Sequence, residues 1–154
     1  MATDVVSARW PLDLKIYGAL NGIWGLGLMF RLIVQNPFVQ PGESIQAVIG
    51  GIKFYGSEAR GVLLTQAVIY LLIANGIIQQ RRWGLIAALL YVAQVVAAHL
   101  LFVIWYAGVP GQEIHVKIAS FEGPAMVLIL LYLWMRSREL LRRRAAGIHL
   151  STAG

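Results

Sequence analysis

Four side chains in this sequence have the types and positions to do chemistry: Arg31, Gln66, His99 and Glu122. A carboxyl group beside an imidazole forms an acid–base pair, because the ring can take or return the proton near neutral pH. An arginine adds a permanent charge with a planar fork of donors, and a glutamine adds an amide that orients a polar ligand or ties helices together. All four stand inside or at the edge of long apolar runs. A charge in such surroundings must be neutralised by protonation, by a partner or by a wet cavity.

Those runs set the class of the protein. Of the 154 residues, 58% are hydrophobic and 13% charged, with a mean hydropathy of +0.69, whereas ordinary soluble domains carry roughly a quarter charged residues. The net charge of +6 comes from basic residues at the ends of the apolar runs, which is a topology signal and not a nucleic-acid footprint. With no cysteine in the chain, disulfides, thiolate catalysis, iron–sulfur clusters and thiolate zinc sites are excluded. Residues 1–13 lack a short apolar stretch ending in a small-residue cleavage site, so the first apolar run reads as a permanent span.

The expected fold is an all-α membrane protein, a four-helix transmembrane bundle in one domain over 1–154. Spans are expected at about 12–35, 61–80, 83–107 and 117–136, with a basic cytoplasmic tail at 137–154. Pro11 suits a first helical turn, and Asn36-Pro37 ends the first span. Gln79 to Arg82 is too short for anything but a tight turn, which makes the second and third spans antiparallel neighbours. Trp105 and Tyr106 suit the far interface, and Gly108, Pro110 and Gly111 break the chain before the fourth span. Pro124 removes the donor for the Ser120 carbonyl and predicts a kink near Glu122. Between the first two spans, Ile45, Val48, Ile49 and Ile52 recur at helical spacing, so a short interfacial or re-entrant helix is expected over about 43–54.

Orientation follows from the basic residues. Arg9, Lys15, Arg81, Arg82, Arg136, Arg138, Arg142, Arg143 and Arg144 fall on one side, and Lys53, Arg60 and Lys117 on the other. The positive-inside rule puts both termini in the cytoplasm of a bacterial-type inner membrane. Helical rise then gives depth: His99 and Glu122 each lie about 6 Å outward of the midplane, Gln66 at the same level and Arg31 further out. Asn21, Asn75 and Gln94 lie at or inside the midplane, where interhelical amide hydrogen bonds are their expected use.

The function expected from this pattern is non-enzymatic. It is either an outer-half polar pocket of Arg31, Gln66, His99 and Glu122 that binds a small amphiphile such as a lipid, quinone or sterol-like molecule, or a subunit packed beside a larger membrane complex. Gly18 and Gly22, four apart on one helical face, offer a surface for a homo-oligomer or such a complex. The alternative is a cofactor-independent membrane enzyme, isomerase- or hydrolase-like, with Glu122 and His99 as catalytic acid–base pair. No HxxxH, HExxH or Glu-x-x-His pattern predicts a metal, no phosphate-binding glycine loop predicts a cofactor, and no nucleophile elbow predicts a catalytic serine. Membrane lipids are the remaining expected partners, and nucleic acid is not one.

Overall fold

The computed structural model describes residues 10–34, 46–49 and 52–151. Six elements follow in order: α1 (Leu12–Val34), β1 (Gln46–Ile49), β2 (Ile52–Tyr55), α2 (Gly56–Ile78), α3 (Arg82–Tyr106) and α4 (Glu113–Ser151). All four helices are long and apolar enough to cross a membrane, as an integral membrane protein requires. The shortest have 23 residues, about 35 Å of helix against a hydrocarbon core of roughly 30 Å. α4 has 39 residues and continues unbroken through Pro124, so the basic stretch after Met135 begins as an extension of this helix. Arg9 and residues 152–154 lie outside the described residues.

Successive helices run antiparallel. α1 lies along α2 and α3 along α4, and the two pairs meet where α2 turns into α3. That turn is a Schellman cap: the Arg81 amide donates to the Gly76 carbonyl at 2.8 Å and the Gln80 amide to Ile77 at 2.9 Å. Gln80 takes the left-handed conformation at φ 58°, a position glycine usually fills. Its side-chain oxygen accepts from the Trp10 amide at 3.2 Å, which ties the start of α1 to the turn.

Glycine decides how close the helices come. A Cβ on Gly84 would lie 2.4 Å from the Gly76 carbonyl carbon and 2.6 Å from its Cα, so α2 and α3 touch backbone to backbone. Gly18, Gly22 and Gly25 face Ile77, Ala74 and Leu71 of α2. The glycine face of the first span is therefore used inside the chain. The main core forms around Trp10, Leu14, Ile73, Ile77, Leu85, Val92, Leu133 and Leu140. It draws on all four helices and sits toward the end that carries Arg81 and Arg82, here called the basic end.

The opposite end corrects one expectation. In place of a helix over 43–54, the described residues form an antiparallel hairpin, Gln46 facing Tyr55 and Ile49 facing Ile52; residues 43–45, 50 and 51 lie outside the description. The apolar spacing suited a helix, but the residues are β-branched or aromatic, and a two-residue Gly50-Gly51 connection between such runs is a hairpin signature that would weaken a helix. α2 accordingly starts at Gly56, before the position expected for the second span. A lone two-stranded hairpin is marginal in water. Here Ala47 and Phe54 pack with Ala59 and Leu63 of α2 and Leu28 and Leu32 of α1. Lys53 reaches across to the other pair: its ammonium sits 5.6 Å from the Phe102 ring centre and 5.7 Å from that of Tyr106, and it donates to Gln112.

The glycine contacts give a paired test by thermal unfolding in detergent. Gly84→Ala is expected to destabilise by about 1–3 kcal/mol or more, since backbone atoms must move to admit the methyl group. Gly27→Ala, with nothing within 4 Å of the new Cβ, is expected to leave stability unchanged or slightly raised. Equal behaviour of the two variants would disprove the close approach of α2 and α3.

Candidate functional site

Two of the expected site residues come together across the α3–α4 pair. His99 stands two turns before the end of α3, and its Nδ1 lies 2.8 Å from the Val95 carbonyl one turn earlier. A carbonyl oxygen only accepts, so Nδ1 carries its hydrogen and the ring is held with Nε2 facing α4. There Nε2 meets Glu122 Oε2 at 3.2 Å. With Nδ1 already protonated, this second contact needs a proton of its own, either on Nε2 as imidazolium or on Glu122 as carboxylic acid. In both forms the pair is neutral overall, which lowers the cost of holding it among apolar side chains.

Depth and exposure give the pair its setting. His99 lies about 10 Å along α3 from Tyr106, well within the span. Its side chain is 20% exposed and that of Glu122 54% exposed, so the carboxyl group points outward from the bundle. Leu100, Ile118 and Phe121 beside it are exposed as well. Pro124, inside α4, leaves the Ser120 carbonyl without its helical donor.

Arg31 and Gln66 stand on the other helix pair. Arg31 is exposed in the last turn of α1 and Gln66 is half-buried on α2, and each is engaged in contacts already. Two of the three amides nearer the midplane bond locally and not between helices as expected: Asn21 Nδ2 donates to the Tyr17 carbonyl at 2.8 Å, and Asn75 Oδ1 accepts from Gln79, the cap of α2, at 2.7 Å. Among the described residues, no group of three or more His, Asp or Glu side chains is arranged to hold a metal ion. Glu113 instead closes the loop before α4, accepting from the Gly111 amide at 3.2 Å.

A second polar cluster, at the basic end, has no counterpart in the expected site. Arg136 of α4 pairs with Asp13 in the first turn of α1 and with Glu139 one turn further along α4, the latter at 2.6 Å. Its guanidinium carbon lies 5.7 Å from the Tyr132 ring centre. The Tyr132 hydroxyl is buried beside the Asp13 carboxylate and the Arg136 guanidinium. Tyr17 and Tyr91 pack against the same core, and Tyr70 meets Tyr91 edge to face at 5.1 Å. Asp13 and Arg136 each look like an ordinary charge at a helix end. Only the chain reversal that sets the start of α1 beside α4 makes them partners.

The shared proton makes the two site substitutions unequal. Glu122→Gln keeps a donor aimed at Nε2 and is expected to change the melting temperature little, whereas His99→Ala strands a carboxyl group at membrane depth and is expected to lower it. A double-mutant cycle with His99→Ala and Glu122→Ala should give a coupling of about 1 kcal/mol; equal losses for Glu122→Gln and His99→Ala would rule out the shared proton as the bond. No family model matches this chain, and comparison with curated proteins and with solved structures finds no match.

Proposed function

We propose that this protein is a non-enzymatic accessory subunit of a membrane complex, and that the outward face of α3 and α4 around His99 and Glu122 is where another transmembrane helix packs. One observation carries the reading: a hydrogen-bonded, proton-sharing pair at membrane depth with Glu122 half-exposed. Ionisable side chains within a membrane face a bundle interior or a wet cavity almost without exception. A partner helix turns this outward face into an interior. It also brings donors for the free carboxyl oxygen and the Ser120 carbonyl, in a setting where interhelical hydrogen bonds and close packing drive association. A lipid, quinone or sterol-like amphiphile would meet the same pair from the lipid side, but a half-open carboxyl suits a helix better than an enclosed small-molecule site.

The membrane arrangement belongs to the same proposal. The start of α1, the α2–α3 turn and the extension of α4 share the basic end, and the positive-inside rule makes that end cytoplasmic in a bacterial-type inner membrane. The hairpin and the α3–α4 loop then face outward.

A second reading has its own support. The ring of His99 is fixed by Val95 in one tautomer and aimed at a carboxyl group, an arrangement also suited to acid–base catalysis on a membrane-soluble substrate. The first reading needs a covered face and the second an open one.

The cysteine-free chain makes the test direct. Phe121→Cys, on a side chain 82% exposed, introduces a unique thiol beside Glu122, and Ile23→Cys places one on α1, on a side chain 67% exposed. In native membranes a bifunctional thiol–amine crosslinker is expected to join Phe121→Cys, but not Ile23→Cys, to a second membrane protein of fixed mass, and Glu122→Ala is expected to weaken that adduct. Free labelling of both thiols by a lipid-soluble maleimide, with no adduct at Phe121→Cys, would leave the face open and defeat the subunit reading.

A further inference from the structure

Beyond Met135, α4 carries a set of charges that the fold does not use. Among the described residues, the ion pairs of the basic end belong to Arg136, with Asp13 and Glu139. Among these residues no carboxylate is paired with Arg138 or Arg142, and both are exposed. They follow Trp134 at intervals of four, which places all three along one stripe of the helix. The Arg138 guanidinium lies 4.8 Å from the Trp134 ring centre, so the tryptophan supports the cation without neutralising it. Trp134 and Met135 are 50% and 65% exposed. The stripe thus passes from apolar to cationic within two turns, and it borders a concavity of about 490 Å³ lined by Tyr132, Trp134, Met135, Arg138 and Arg142, together with Arg136 and Glu139, whose charges are paired with each other.

We propose that this groove binds the headgroup of an anionic phospholipid. Arg138 and Arg142 take the phosphate, with Arg offering the paired donors that phosphate oxygens fit. Trp134 and Met135, one residue apart and below the arginines, lie at the glycerol and upper acyl level, where an indole has an apolar body and a polar edge. The apolar foot of the groove is what selects a lipid over a free phosphate: an inorganic anion satisfies the arginines but leaves Trp134 and Met135 uncovered. The site rests only on the membrane-spanning character of the chain and is independent of the partner proposed for His99 and Glu122.

The test is native mass spectrometry of the detergent-purified full chain titrated with phosphatidylglycerol or phosphatidylcholine. The wild type is expected to retain phosphatidylglycerol preferentially. A headgroup contact near the membrane surface is worth about fivefold per arginine, so Arg138→Gln with Arg142→Gln should cut the preference by about twenty-five-fold. Arg81→Gln with Arg82→Gln, which removes the same charge from the α2–α3 turn, should preserve most of it. Equal loss in the two double variants would reduce the effect to net charge and overturn the site. So would an unchanged preference in the Arg138, Arg142 variant, or displacement of the lipid by millimolar inorganic phosphate.

Discussion

The backbone contact between Gly76 and Gly84 is the constraint on which the remaining architecture rests. α1 lies along α2 through a row of glycines, and α3 lies along α4. The two become one molecule where the α2–α3 turn brings backbone against backbone with no side chain between. In lipid there is no hydrophobic force between helices, so such closeness supplies the dispersion contact that association needs. The Schellman cap completes the turn within the backbone, and Gln80, held at positive φ, turns its side chain to the Trp10 amide. One short connection therefore sets both the α2–α3 spacing and the position of α1.

Polar groups are distributed around that joint by a single rule, that each finds a partner within reach or is left where one can come. At the basic end Arg136 gathers Asp13 and Glu139, closing the bundle with three charges in contact. At the far end Lys53 covers the stacked rings of Phe102 and Tyr106 and donates to Gln112, so the hairpin ties both helix pairs together. Between the ends, His99 uses the Val95 carbonyl and one shared proton to make Glu122 tolerable in an apolar layer. This last arrangement is the least complete. A carboxyl group has two oxygens, and the described contact engages one of them.

Different parts of this structure were legible in the sequence to different degrees. The spans could be read because membrane crossing demands continuous apolar sequence, a signal that survives without any tertiary information. His99 and Glu122 could be placed at one depth because antiparallel helices share the same rise, although depth alone did not say that their faces meet. The hairpin departs from the expected helix for a local reason: over so few residues, helical spacing and strand composition compete, and Gly50-Gly51 together with the β-branched run outweighs the periodicity of Ile45, Val48, Ile49 and Ile52. Gly76 and Gly84 follow no motif, being on opposite sides of a turn. The Asp13–Arg136 pair joins residues more than a hundred positions apart, and nothing near either of them signals the other.

The two polar centres also differ in what they leave available, and that difference bears on function more than either centre alone. At the basic end the charges on Arg136, Asp13 and Glu139 are mutually satisfied, so this cluster holds the bundle shut; among the described residues, charge without a carboxylate partner lies just beyond, on Arg138 and Arg142. At membrane depth the order is reversed, because the pair is internally neutral yet outwardly incomplete, with Phe121 and Ile118 framing it on an exposed apolar face. A neutral pair does not attract a distant ion, but it offers hydrogen bonds at short range once a surface has packed against its apolar frame. In the two proposals, charge at the rim meets a headgroup and neutral polarity in the span meets a helix, and α4 carries both on a single continuous element.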